Sequence, residues 1–221
     1  MTRLQIRNMI RKRLGETTAS FWSDAELNTW INDACKDIAF RTKCIRSNLY
    51  HTPTDDTAEY TLSAIFPNVL SINEYYYKQD GTNYIKMEAT SRTELDALYT
   101  GWRSAPSGTP FKYYYDKEED VFGLYPPPVL AITEGTNWGR AYITKNHTDM
   151  TTDGESPQLP EPVHAAVPDY VVAYGYEQRG WGDKANDSWQ KYYSKLHDYQ
   201  VERHREKEDE DIVMKNYRNI Y

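Results

Sequence analysis

Trp22-Ser23-Asp24-Ala25-Glu26-Leu27, continuing into Trp30, Ile31, Ala34 and Ile38, is a complete helix start joined to one apolar stripe. Ser23 stands where a side-chain oxygen caps free helix amides, and Glu26, three residues on, can reach back to the amide of Ser23. Trp22 and Leu27 occupy the two apolar staple positions around the cap. Leu27, Trp30, Ile31, Ala34 and Ile38 recur at helical spacing, with Asn28, Asn32, Asp33, Lys36 and Asp37 on the other face. The spacing predicts a helix from Asp24 to about Lys43 whose stripe is the core of a bundle. Ahead of it, Thr2 to Leu14 reads as a short basic helix, with Gly15 as its stop.

A chain of 221 residues suits one large domain or a domain carrying an insertion. It has no run of about 18 apolar residues and no signal-peptide core, so neither membrane insertion nor secretion is expected. Cys35 and Cys44, if on one helix, would stand roughly 13 Å apart, too far to bridge. They are expected to be free thiols, and without paired histidines they make no zinc site.

Charge is uneven. Residues 1–46 carry a net +4, residues 47–182 a net −10 and residues 183–221 a net −1, within a total of −7. The acidic middle argues against a general nucleic-acid-binding surface, which needs clustered cations. Arg3, Arg7 and Arg11, with Lys12 and Arg13, form a basic helix face. It reads either as solvated or as a subunit interface with an acidic neighbour, such as the middle of another copy.

Composition changes after the second helix. From Asn48 to Thr144 the chain is rich in Tyr, Thr, Val and Ile. Asn68 to Tyr77 and Tyr84 to Ala89 flank Gln79-Asp80-Gly81-Thr82, a hairpin signal because Asp-Gly supplies positive φ angles. Phe111 to Tyr115 and Val121 to Tyr125 read as a second hairpin, Arg92 to Tyr99 as a short helix between them, and Arg140 to Thr144 as one more strand. Helix returns over Val163 to Gln178, with a kink or late start expected at Pro168. Asp183 to about Glu210 is the longest helix, with Trp189, Tyr192, Leu196 and Tyr199 on one face. Ile212, Val213, Met214, Tyr217, Ile220 and Tyr221 make the end of the chain apolar again, where a frayed terminus is usually polar. The expected fold is α+β. Helices 1–46 and 159–211 form a bundle from both chain ends, 47–145 is an inserted antiparallel β-rich region, and 212–221 is an extended tail.

Catalytic patterns are missing from the sequence. Neither G-x-x-x-x-G-K-[ST], G-x-G-x-x-G nor G-x-S-x-G occurs, and His51, His147, His164, His197 and His204 include no H-E-x-x-H pair. Glu118-Glu119-Asp120 reads as a soluble turn. No cofactor, metal site or enzyme activity is expected. Tyr75-Tyr76-Tyr77 and Tyr113-Tyr114-Tyr115 alternate faces along strands, so one face can be core while the other offers aromatic rings to a protein or a sugar.

The order of these segments resembles the head-to-tail connector (adaptor) proteins of tailed bacteriophages. Phe21 to Ala34, Leu124-Tyr125-Pro126-Pro127-Pro128 and Leu159 to Tyr176 carry the likeness, which covers nearly the whole chain. It implies a structural virion protein forming a ring, usually of about twelve copies, beneath the portal in the neck of the virion. Such a ring contacts a downstream neck or tail protein and passes double-stranded DNA through its lumen without reading sequence. In relatives the C-terminal segment reaches the portal, a role matched here by Ile212 to Tyr221. Manufacture in the host cytoplasm follows. Two other classes remain open: an aromatic-faced β module binding carbohydrate in a tail or receptor-binding assembly, and a DNA-terminus-binding protein using Arg3 to Arg13.

Ser23→Ala is expected to cost about 1 kcal/mol through the lost cap, and Leu27→Ala or Ile31→Ala about 2–5 kcal/mol. Equal, small effects in urea titrations would show that the stripe is not packed.

Overall fold

In a computed structural model of the chain, the described residues are all but 17, 18, 20, 79–82, 130–137 and 219–221, and side chains are described as far as residue 205. The fold is α+β. Two compact units divide it: residues 1–45 with 147–221, and residues 46–146.

The first unit is helical. Helix α1 (Arg3–Leu14) is capped by Thr2 and ended by Gly15 at φ 76°, where a side chain would be strained. Helix α2 (Asp24–Thr42) begins as its sequence requires: the Glu26 amide donates to Ser23 Oγ at 3.2 Å and the Ser23 amide to Glu26 Oε2 at 2.8 Å. The Ser23 amide and hydroxyl both donate to the Glu26 carboxylate and hold it below its usual pKa. After a loop and a 3-10 turn at Glu161–Ala165, α5 (Ala166–Gln178) starts late, so Pro168 falls in its first turn, where no helical amide is needed. Helix α6 is continuous from Gly182 to Arg218. The expected extended tail from Ile212 therefore has helical backbone to Arg218, because nothing in Asp211 or Ile212 breaks a helix; its side chains lie outside the described residues.

Leu27, Ile31, Ala34, Ile38 and Leu196 are buried with Ile6, Ile10, Val167 and Val171 in one core, and Trp30 and Trp189 are partly buried against it. Trp30 meets Tyr174 edge-on at 4.9 Å, and Trp189 meets Tyr170 at 5.1 Å. Gly175 lets α5 approach this core closely, since an added Cβ would lie 3.2 Å from Leu14 Cδ2.

The second unit packs two sheets. Strands β1 (Arg46–His51), β3 (Val69–Lys78), β4 (Tyr84–Lys86) and β8 (Gly139–Lys145) form the first, in the order β1-β8-β3-β4 and wholly antiparallel. Strands β2 (Glu59–Thr61), β5 (Glu88–Ala89), β6 (Lys112–Asp116) and β7 (Val121–Tyr125) form the second, in the order β2-β7-β6-β5, with β5 parallel to β6. The strand expected from Tyr84 to Ala89 thus serves both sheets. Met87, buried in the shared core, marks the crossing: its amide bonds Tyr75 O in one sheet, and the next amide bonds Phe111 O in the other. A short helix α3 (Leu62–Ile65) follows β2, and α4 (Arg92–Leu98) covers the second sheet with the turn at Trp102–Ser104.

Aromatic rings fill the space between the sheets. Tyr75, Tyr77, Tyr113 and Phe122 are buried there, while Tyr76 faces outward. Tyr114 also points out of that core, but is buried beneath Leu95 and Trp102. Two glycines make room: a Cβ on Gly139 would lie 1.9 Å from Tyr75 Oη, and one on Gly123 1.9 Å from the Tyr114 ring.

His51 sits in this core, its Nδ1 3.1 Å from Tyr75 Oη and its ring edge-on to Tyr60, Phe66 and Phe122. Burial pushes its pKa from 6.5 down to about 4. Above pH 6.5 the ring is neutral folded or unfolded. Between 6.5 and 4 only the unfolded chain takes the proton, so stability falls as pH falls. From pH 7 to pH 5 the native chain is expected to lose about 2 kcal/mol more than His51→Gln, measured by urea unfolding. Parallel losses would show that His51 is not the acid-sensitive group.

Candidate assembly surfaces

The basic face of α1 is turned inward. Arg3, Arg7 and Arg11, one helical turn apart, are only 8%, 7% and 5% exposed. Arg3 donates to the carbonyls of Met150 and Thr151 and, at 2.9 Å, to Asp153 Oδ1. Arg7 donates to Asp153 Oδ2 at 2.7 Å and to Asn28. Arg11 donates to Asp24 at 2.6 Å, to the Trp22 carbonyl, and to Glu16 at 3.1 Å. Hydrogen bonds from Arg7 and then Arg3 hold the Asp153 carboxyl below its usual range. These arginines are therefore internal to the subunit and do not form the subunit interface expected of them. All of their partners but Glu16 lie at the capped start of α2 and in the loop after residue 146, which the sequence spacing of α1 alone does not reveal.

The same logic extends along the bundle. Glu16, itself buried, accepts from Arg11 and from Arg179, and Asp169 is bridged by Arg13 and Lys195. One buried carboxylate thus ties α1, α5 and α6.

On the outer face of the first sheet, cross-strand register sets Tyr50, Arg140, Tyr76 and Lys86 in one row and Asn48, Tyr142 and Glu74 in the next. The Arg140 guanidinium lies 4.6 Å from the Tyr142 ring centre and 5.9 Å from that of Tyr50, and Lys78 lies over Tyr84 at 5.3 Å. Elsewhere Phe21 and Trp181 are exposed against Arg179, which stacks on both rings. Most of the tyrosine triplets are spent inside the fold, which leaves Tyr50, Tyr76 and Tyr142 on this outer face where a carbohydrate module would need a broad aromatic one.

Cys35 and Cys44 are both free, and burial pushes the Cys35 thiol up to about 12. His51, His147 and His164 are buried, not solvated. Among the described residues no group of three His, Cys, Asp or Glu side chains could hold a metal, and no helix is long and apolar enough to cross a membrane. The described side chains include none of the tail positions Ile212, Val213, Met214, Tyr217, Ile220 and Tyr221.

Comparison with known proteins assigns the class: this is a structural adaptor of bacteriophages. Residues 1–212 match the SU10 adaptor protein family, and the chain belongs to that family. No curated protein matches it.

Arg11 and Glu16 are both deeply buried, so truncating either leaves the other short of a charged partner, Arg11 keeping Asp24 and Glu16 keeping Arg179. Arg11→Ala and Glu16→Ala are each expected to destabilise by about 3–5 kcal/mol, and the double variant by much less than their sum. Additive losses in thermal or urea unfolding would mean that the pair does not act as a unit.

Proposed function

We propose that this adaptor assembles as a ring of about twelve copies beneath the portal, links the capsid to the tail, and lines the channel through which the genome passes. The observation that carries this reading is the family match over residues 1–212, nearly the whole chain. A net charge of −7 suits a DNA channel, because an acidic wall repels phosphate and lets the duplex slide where a basic wall would grip it. Continuation of α6 to Arg218 fits a docking role for the chain's end: Ile212, Val213, Met214, Tyr217, Ile220 and Tyr221 follow the acidic stretch Glu206 to Asp211 and offer apolar area to the portal. Many copies in a ring multiply that contact by avidity. A downstream neck or tail protein binds the ring's other side.

Negative-stain microscopy of virions and purified protein tests the assembly: rings at the portal vertex are expected, and a fibre or a free monomer overturns the reading. Deleting residues 212–221 is expected to leave a folded protein that no longer binds portal-bearing capsids. Undiminished binding would move the contact onto the helical bundle.

A further inference from the structure

The two outward sides of the β unit carry opposite charge. Facing away from the core on the first sheet are Arg46, Lys78, Lys86 and Arg140, with Glu74 as the one carboxylate of those rows. Glu74 is already bound by Lys86 and Tyr76. Arg46, Lys78 and Arg140 have no carboxylate partner among the described residues, and the enclosed Nε of Arg140 has no hydrogen-bond partner. Behind the second sheet the balance reverses. Lys112 pairs with Glu88 and Glu94, Arg103 with Glu59 and Asp96, and Arg92 with Glu119. Asp116, Glu118 and Asp120 in the β6–β7 turn add further negative charge, with Lys117 as that turn's single cation.

Because the sheets share one core, these two surfaces point in opposite directions within the unit. We propose that the basic, tyrosine-lined face of the first sheet docks on the acidic side of the second sheet in the next copy of this chain. The inference rests on the ring reading and assigns its contact. Every copy carries both surfaces, so a head-to-tail arrangement uses each once per subunit and leaves neither over when the ring closes. Tyr50, Tyr76 and Tyr142 flank Arg140 with apolar area, a composition enriched at protein interfaces. Arg140 lies among the rings and has guanidinium donors to offer a carboxylate, while a duplex would need a wider field of protruding cations. Opposite potentials also steer encounter and fix register.

The test uses full-length protein and light scattering coupled to gel filtration. Wild type, alone or with portal, is expected to form oligomers that dissociate as salt rises. Lys78→Glu with Arg140→Glu, and separately Glu88→Lys with Glu118→Lys, are each expected to run as monomers with unchanged circular dichroism. Mixing the two variants restores assembly, because the two intact faces pair and the two reversed faces again meet as opposite charges. Lys78→Gln with Arg140→Gln is the milder check and is expected to weaken assembly at least tenfold. Variants that assemble like wild type overturn the assigned contact while the ring reading stands; wild type that is monomeric even with portal removes both. Loss of binding to a DNA duplex or an oligosaccharide, with assembly unchanged, gives the face to that ligand and overturns the proposal.

Discussion

Three guanidinium groups on one helix face, hydrogen-bonded out of water, hold the first unit together. Buried charge is tolerable only when it is paired and hydrogen-bonded. Arg3, Arg7 and Arg11 are held in that way by Asp153, Asp24, Glu16, Asn28 and the carbonyls of Met150, Thr151 and Trp22. The requirement reaches outward from there. It fixes Glu16, just past the end of α1, which must be placed for Arg11 and Arg179 together. It also fixes the loop after residue 146, whose carbonyls and carboxylate are aimed at α1 across some 150 residues of chain.

Helices with local start signals were legible in the sequence. Thr2, Ser23 and Gly15 do their work within one turn, so α1 and α2 begin and end where composition says they should. Pro168 was readable for the same reason, since its missing amide permits only an early position in α5. The direction of the basic face was not legible. Three arginines at helical spacing look alike whether they face solvent or an aspartate 150 residues away, and only the partner decides. The crossing at Met87 was hidden likewise, because a single run from Tyr84 to Ala89 has the same alternation whether it serves one sheet or two.

The tyrosines illustrate how position divides one residue type among roles. Tyr75 and Tyr113 pack between the sheets, Tyr114 seals a second small core with Trp102, and Tyr50, Tyr76 and Tyr142 remain outside. Alternation along the strand predicts that neighbours differ, but not that both sides of β6 are covered. That depended on α4 folding back over the sheet, bringing Leu95 and Trp102 onto Tyr114. Glycines opposite the largest rings complete the pattern, since Gly123 and Gly139 are where the backbone yields space to an aromatic side chain.

Building the bundle from residues 1–45 and 147–221 also orders events on the ribosome. The apolar stripes of α1 and α2 are synthesised first, yet their partners in α5 and α6 emerge only after the whole β unit has been made. At about 5–20 residues per second, the roughly 150 residues between Ile38 and Tyr192 impose a wait of some 8–30 s. All strands of the β unit, by contrast, are available once residue 145 is out. The insertion can therefore close while the helices that will carry it are still unpaired. The growing chain exposes Leu27, Ile31 and Ile38 for most of its synthesis, which makes this interval its main opportunity for aggregation and the natural point of action for a chaperone.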